Sequence, residues 1–386
     1  MAPHTGDRNM RQIQRAVSDL RRGWPVLLRG ARDAALALAL ESATAEALTE
    51  ARRLAGSHPR LVLTRHRMQA LGHSIAHDGL ALMAPVQGGL DLLHGWATLP
   101  DAQLPDTLVR VPAEPVELAG LRMLMQAHYL PALLSFPVAA DREAALRLRV
   151  AQGDMLEVQW RSLQAFTGGA GGALTRVSEA RIPLAGSPDS RFVLFREADG
   201  QREHVAILIG NPAAWRDAVP VRLHSACLTG DLFGSLRCDC GDQLRRAVAA
   251  IAAQGGGVLL YLAQEGRGIG LANKLRAYTL QDGGLDTVDA DHAIGFGDDG
   301  RDFGMARDML GQLGIQRICL LTNNPGKIEA LEQGGLEVVA RQSLFGELTE
   351  QNRRYLHAKA HRHGHDLHAL LELSGADEDA VLRQSA

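Results

Sequence analysis

From His204 onward, short apolar runs alternate with amphipathic helical stretches, and this alternation restricts the fold more than any other feature of the chain. "HVAILIG" and "AVPVRLHS" read as strands. "DQLRRAVAAIAAQGG" places Leu244, Ala247, Val248 and Ile251 on one helical face and stops at glycine. "GVLLYLAQ" reads as a buried strand, and "LANKLRAYTLQDGG" and "RDFGMARDMLGQLG" as helices, the latter with Phe303, Ala306, Leu310 and Leu313 turned inward. "QRICLLTNN", "PGKIEALEQGG" and "EVVARQSL" continue the series as strand, helix and strand. Elements of this kind bury their apolar faces by layering helices on a sheet, which predicts an α/β fold, a layered αβα domain on a mixed sheet.

Upstream the sequence is rich in Ala, Leu and Arg and patterned mostly as helix. Gln14, Val17, Leu20 and Arg21 belong to a first amphipathic helix, and "GWPVLL" reads as a short buried strand. "FTGGAGGAL" (Phe166 to Leu174) is the expected linker. The predicted organisation is an N-terminal α+β domain over 1–165, a linker over 166–174, a second domain over 175–366 and a tail over 367–386. A chain of 386 residues has the length for two such cores. A formal charge of −3 gives no general field for nucleic acid or membrane. No apolar run reaches spanning length, and the first residues carry no apolar segment behind a basic start. A cytoplasmic protein, with reduced thiols, is the expectation.

Three of the four cysteines fall within "HSACLTGDLFGSLRCDCGDQL": Cys227, Cys238 and Cys240. Three thiols cannot pair among themselves. In an extended segment, residues i and i+2 point the same way, so Cys238 and Cys240 can reach one ion. Gly230 and Gly234 let the intervening loop fold back to bring in Cys227. A helix starting just after Cys240 would favour thiolate. Three readings remain open on these residues. The cysteines pack as apolar groups, hold a structural zinc with a fourth ligand such as His224, or hold zinc with one corner open for water, as catalytic sites do. The open site would need a separate carboxylate base. Cys319, inside "ICLLT", reads as a core residue.

Phosphate-binding signals are individually weak. "GFGDDG" spells Gly-x-Gly-x-x-Gly, but its two aspartates would repel a pyrophosphate. "LLTNNPGK" is better placed, with an Asn cap, Pro325 at the first helical position and Lys327 one turn in. "EGRGIG" follows a strand directly, and Arg267 can clamp phosphate through two N–H groups.

Taken together, "VRLHSACLTGDLFGSLRCDCGDQL", "QEGRGIGLANKLRAYTLQDGGLDTVDA", "GFGDDGRDF" and "LLTNNPGK" resemble GTP cyclohydrolase II, the entry enzyme of riboflavin synthesis, over residues 172–366. The resemblance implies one zinc per subunit on Cys227, Cys238 and Cys240. It implies a general base at Asp299, an arginine acting at the α-phosphate at Arg301 and a tyrosine near the purine at Tyr278. Substrate contacts map to Arg222, Leu223, His224, Ser225, Ala226, Gln243, Glu265, Gly266, Arg267, Thr287, Thr322 and Lys327. The implied reaction is hydrolytic opening of the guanine five-membered ring at C8, with loss of formate and of pyrophosphate shielded by magnesium. Glu265 would read the guanine N–H edge, a contact adenine cannot reproduce. A homodimer is expected, without nucleic acid or membrane partners. The chain departs from the family at Ala226, where the family carries Glu before the first cysteine. A silent paralogue that only binds nucleotide is the alternative.

Residues 10–165 resemble an eroded dihydroxybutanone phosphate synthase. "IQRAVSDLRRGWPVLL" and "ESATAEAL" fit its opening, and "VRVPAEPVELAGL" fits the region of its His-Thr-Glu motif. Here that motif reads Pro112, Ala113, Glu114, and the loop that should be acidic reads "RGARDAALALAL" with Asp33 alone. Without metal-binding carboxylates an enediolate is not stabilised, so a scaffold or dimerisation role is expected. "HAKAHRHGHDLH" (His357 to His368) reads as a solvated terminal helix, matching the family's ending through Tyr355, Leu356, Lys359, Gly364 and His365.

Overall fold

Each half of the chain builds its own seven-stranded sheet. The computed structural model describes residues 5–31, 33–84, 89–167, 174–297, 299–347, 349 and 352. Most of the glycine-rich linker, the histidine-rich segment and the tail lie outside the described residues. The chain divides into two units: Met1–Ala170 with Ile269–Gly300, and Gly171–Gly268 with Arg301–Ala386. The linear reading assigned 269–300 to the second domain; the structure packs it with the first.

The first sheet contains β1 (Val26–Arg29), β2 (Ala34–Ala39), β3 (Arg60–Thr64), β4 (Gly79–Met83), β5 (Arg110–Pro112), β6 (Ala132–Pro137) and β7 (Glu157–Gln159). Their order is β5-β4-β3-β6-β2-β1-β7, antiparallel except for the parallel β1–β7 pair. Helices still hold more residues of this half than strands do, as its patterning predicts; the sheet is the part that patterning hid. Strand β2, "AALALA", shows why. Alanine and leucine favour helix by propensity, yet strict alternation sends Leu36 and Leu38 to one face and Ala37 and Ala39 to the other. The small face lies in one cluster with Ile13 and Leu20 of helix Thr5–Arg21 and with Ala119 and Leu121 of helix Pro115–Gln126. The leucine face shares a core with helices Ala45–Ala55 and Gly89–Thr98. That same core takes in Ile269, Ala277, Ala290, Ile294 and Phe296 from the later segment.

The second sheet contains β8 (Thr175–Arg181), β9 (Arg191–Arg196), β10 (Glu203–Ile209), β11 (Val219–Ser225), β12 (Gly257–Leu262), β13 (Arg317–Leu321) and β14 (Glu337–Gln342). In the order β14-β13-β11-β12-β10-β9-β8, the first four strands run parallel and the others join antiparallel. Helix Gly304–Gln312 covers one face through Met305, Ala306, Met309 and Leu310, packed with Val221, Leu223 and Ile318. Helix Cys240–Ala253 covers the other through Ala247 and Ile251, packed with Leu259 and Leu321. This is the expected layered α/β arrangement on a mixed sheet. Cys319 corrects one expectation: it is half-buried, because Ile318 and Leu320 take the face of β13 that looks into the main core. The chain passes from β11 to β12 on one side, then returns to β13 on the other side of β11. Ligands in such sheets bind at this reversal, beyond the carboxyl ends of the strands.

Candidate functional site

Three loops leave the carboxyl ends of parallel strands together, and they carry most of the candidate residues. Arg222 and His224 lie at the end of β11, both buried because the sheet has strands on each side. Arg222 donates from Nη1 to Leu321 O (2.8 Å) and from Nη2 to Gln243 Oε1 (2.6 Å). Gln243 in turn bonds Asp239. Burial pushes the Arg222 guanidinium down to about 10, which still leaves it charged at neutral pH. Its Nε and the Ser225 Oγ are buried without a partner among the described residues. Buried polar atoms of this kind are rare unless a ligand serves them.

Asp231 organises the next layer. Its carboxylate faces His224 Nε2 at 3.0 and 3.1 Å and accepts from Tyr261 Oη (2.9 Å) and from the backbone N–H of Cys227 (2.9 Å). His224 therefore carries its proton on Nε2, and that nitrogen is engaged by a carboxylate rather than free to be a fourth metal ligand. Burial pushes the His224 imidazolium down against the opposing pull of Asp231. Burial and the same aspartate push the Tyr261 phenol up, so it remains a donor.

The Cys227, Cys238 and Cys240 sulfurs all lie within 4.8 Å of one another, with Cys227 and Cys238 at 3.7 Å. This is the one group of three or more such ligands among the described residues. The loop can close this tightly because Gly230 has no side chain: a Cβ there would stand 2.7 Å from the Cys238 sulfur. Cys240 opens helix Cys240–Ala253, as the sequence required. Contact with Cys227 pushes the Cys238 thiol up. Three sulfurs this close suit a divalent ion with a preference for soft ligands, which takes the place of their protons.

After β12, Glu265 accepts from the backbone N–H groups of Leu228 (2.7 Å) and Gly266 (3.2 Å), tying this loop to the cysteine loop. Gly266 and Arg267 both sit in left-handed conformation, φ 62° and 61°. For arginine that conformation is uncommon and clusters at binding sites. After β13, buried Thr322 accepts from Asn324 N–H (3.0 Å), and Asn324 caps helix Pro325–Glu332. Lys327 donates to Leu223 O (2.8 Å) and lies over the Phe303 ring at 5.5 Å. Arg301 lies over the same ring at 5.4 Å, so two cations meet at one aromatic face. Ala226 donates its N–H to Leu262 O (2.8 Å), a backbone bond that any residue there could make.

The second unit thus gathers Arg222 to Cys227, Cys238, Cys240, Gln243, Glu265 to Arg267, Arg301, Thr322 and Lys327. Tyr278 on helix Leu271–Asp282, Thr287 at the start of helix Thr287–Ala293, and exposed Asp299 belong to the first unit. Sequence reasoning missed Asp231, Tyr261 and Asp239. A usable signal existed for one of them, since Asp231 is the sole acid between Cys227 and Cys238. In the first unit, Glu114 donates its backbone N–H to Glu117 Oε2 (2.9 Å), a helix-start role in place of metal binding.

The profile of the GTP cyclohydrolase II family matches residues 175–343. Among similar proteins, a GTP cyclohydrolase-2 from Azospirillum brasilense is 42% identical over 363 residues, covering 92% of this chain and 94% of its own. One from Xylella fastidiosa (strain 9a5c) is 43% identical over 360 residues, 92% and 87% respectively. A shorter one from Pseudomonas aeruginosa (strain LESB58) is 51% identical over 198 residues, 50% of this chain and 94% of its own. Among solved structures, a two-domain 3,4-dihydroxy-2-butanone 4-phosphate synthase from A. baumannii is 16% identical with a TM-score of 0.33, covering 87% of this chain and 99% of its own. Full-length relatedness above 40% identity settles the family: the chain belongs to the GTP cyclohydrolase II family of hydrolases.

Proposed function

We propose that this chain hydrolyses GTP to 2,5-diamino-6-(5-phosphoribosylamino)pyrimidin-4(3H)-one, releasing formate and pyrophosphate, as the first step of riboflavin synthesis. The observation that carries the reading is the convergence of three sulfurs with a buried arginine whose Nε has no partner among the described residues, in a chain of this family. Zinc is the ion these ligands suit, and when bound it supplies Lewis-acid chemistry to hydrolysis at neutral pH.

The chain's own residues do the rest. Glu265 turns its carboxylate to the guanine N–H edge and selects against adenine. Arg222, with a free buried Nε, Lys327 and Arg301 provide positive charge for the triphosphate, and Arg267 offers a planar fork. Tyr278 and Thr287 take the purine and its surroundings. Asp299 takes up and returns the protons of ring opening as general base. Asp231 acts behind the ligands: by holding the Cys227 N–H it fixes the entry of the cysteine loop. Magnesium accompanies the leaving pyrophosphate, and a cytoplasmic homodimer is the expected form. The first half is read as non-catalytic, since Pro112, Ala113 and Glu114 stand where a synthase carries His-Thr-Glu and the loop that should be acidic holds Asp33 alone.

The test is direct. Purified chain incubated with GTP and magnesium should release formate and pyrophosphate in equal amounts, with one zinc per chain by metal analysis. Folded, zinc-loaded protein that releases none would instead be a nucleotide-binding member without turnover.

A further inference from the structure

The segment 269–300 carries Tyr278, Thr287 and Asp299, and the first 170 residues supply several of its polar anchors. Thr64, at the end of β3, donates from Oγ1 to Gly295 O (2.7 Å). Arg67 is 1% exposed and spends its guanidinium on backbone carbonyls: Nη1 on Ala293 (2.6 Å), Nε on Trp96 (2.9 Å) and Nη2 on Leu99 (2.6 Å). The His66 ring stacks on His292 with centroids 4.8 Å apart. At the other end, Asn273 donates from Nδ2 to His128 O (3.0 Å), and Arg276 pairs with Glu41 at 2.8 Å. Glu41 holds the Leu130 N–H with its second oxygen (2.7 Å). Gly295 adopts φ 89°, and a Cβ there would stand 2.9 Å from Pro131 Cγ, so the backbone itself is pressed against the first half.

Apolar packing alone would hold two short helices loosely in register. Hydrogen bonds to the Ala293 and Gly295 carbonyls add direction, and they fall just upstream of Asp299, at the root of the stretch that presents it. The family's chemistry does not demand this support, because the relative from Pseudomonas aeruginosa matches 50% of this chain over 94% of its own length. We infer that the first half of this chain, having lost the synthase carboxylates, serves as a positioning element for the general-base segment, with Thr64 and Arg67 as positioning residues. This rests on the proposed role of Asp299.

The experiment uses full-length Thr64→Val and Thr64→Ser, followed by formate release and by hydrogen exchange of peptides spanning 287–297. Thr64 also caps helix Arg65–Ala70, so Thr44→Ala, which removes the equivalent cap from helix Ala45–Ala55, controls for simple destabilisation. Thr64→Val should lower kcat about ten-fold while KM moves less than about three-fold, and should speed exchange in the segment. Thr64→Ser should restore both to within about two-fold, and Thr44→Ala should lower Tm without changing kcat. If Thr64→Val does not fold, Glu41→Gln takes its place with the same expectations. Unchanged kcat in the folded variant, whether or not exchange quickens, overturns the inference. Should the wild-type chain release no formate, the proposed function fails by itself. Exchange then decides whether Thr64 holds the segment, and unchanged exchange overturns that as well.

Discussion

Asp231 draws an imidazole, a phenol and a backbone amide onto one carboxylate, and by doing so it sets where Cys227 can stand. Asp231 stood out only as the sole acid between Cys227 and Cys238; its partners had no signature, because they come from positions 224, 227 and 261 and meet only after β11 and β12 pair in register. The thiols were legible for the opposite reason. Cysteine is scarce here, so three within fourteen residues invite one explanation. Cys238 and Cys240 are not aligned by an extended segment as expected, because Asp239 between them turns at φ −97° and ψ 10° into the helix that Cys240 opens. Cys238→Ser removes one sulfur at little steric cost. We expect no formate release and loss of bound zinc, with the circular dichroism of the fold retained; undiminished turnover would remove the metal assignment. Asp299→Asn keeps shape and loses basicity. Its kcat should fall by about 100-fold or more, while GTP binding measured by calorimetry weakens only a few-fold. The reverse pattern would make Asp299 a binding residue.

Elements tell a second story, best seen in the β9–β10 hairpin that precedes the catalytic strands. His204 on β10 is fully buried and accepts the Ala263 N–H on Nδ1 (3.0 Å), which puts its proton on Nε2, facing Glu197 Oε1 at 2.9 Å. Burial pushes the Glu197 carboxyl up, but the His204 bond and the Arg202 guanidinium outweigh it and leave the group below its ordinary 4.5. A folded-state value below the unfolded one stabilises above about pH 4.5 and is lost as pH falls through the folded value. Glu197→Gln should therefore lower stability at pH 7 by about 1 kcal/mol, and the gap to wild type should close on acidification below pH ~4.5. A gap constant with pH in thermal melts would mean that the charge contributes nothing. This edge of the second sheet was half legible. β10 shows an apolar run, whereas β8 is exposed throughout and offers the eye only "TRVSEAR". The first sheet was harder still, since its β2 strand is built from residues that favour helix and is held extended by neighbours on both sides.

Across the whole molecule, all three candidate metal ligands lie in the second unit, none in the first. Stripping zinc with a chelator should thus abolish formate release and shift the melting of one unit alone, with activity returning when zinc is restored. Melting of both units by the same amount would argue against separate cores. The order of motifs along the chain was enough to reach the family, because four ordered motifs fix register from Val221 to Lys327. It was not enough to place 269–300. Periodicity gave one helix there, over "LANKLRAYTLQDGG", and left Thr287–Ala293 unread; which core receives an apolar face is decided by long-range packing that no local pattern encodes. The apolar face of that segment, Ile269, Ala277, Ala290, Ile294 and Phe296, now fills space among the leucines of the first sheet. A gene fission at the linker would leave those side chains bare in water on one product and a matching hollow in the other. The two stretches that build the first core, one on each side of the linker, are in that sense held to a single polypeptide.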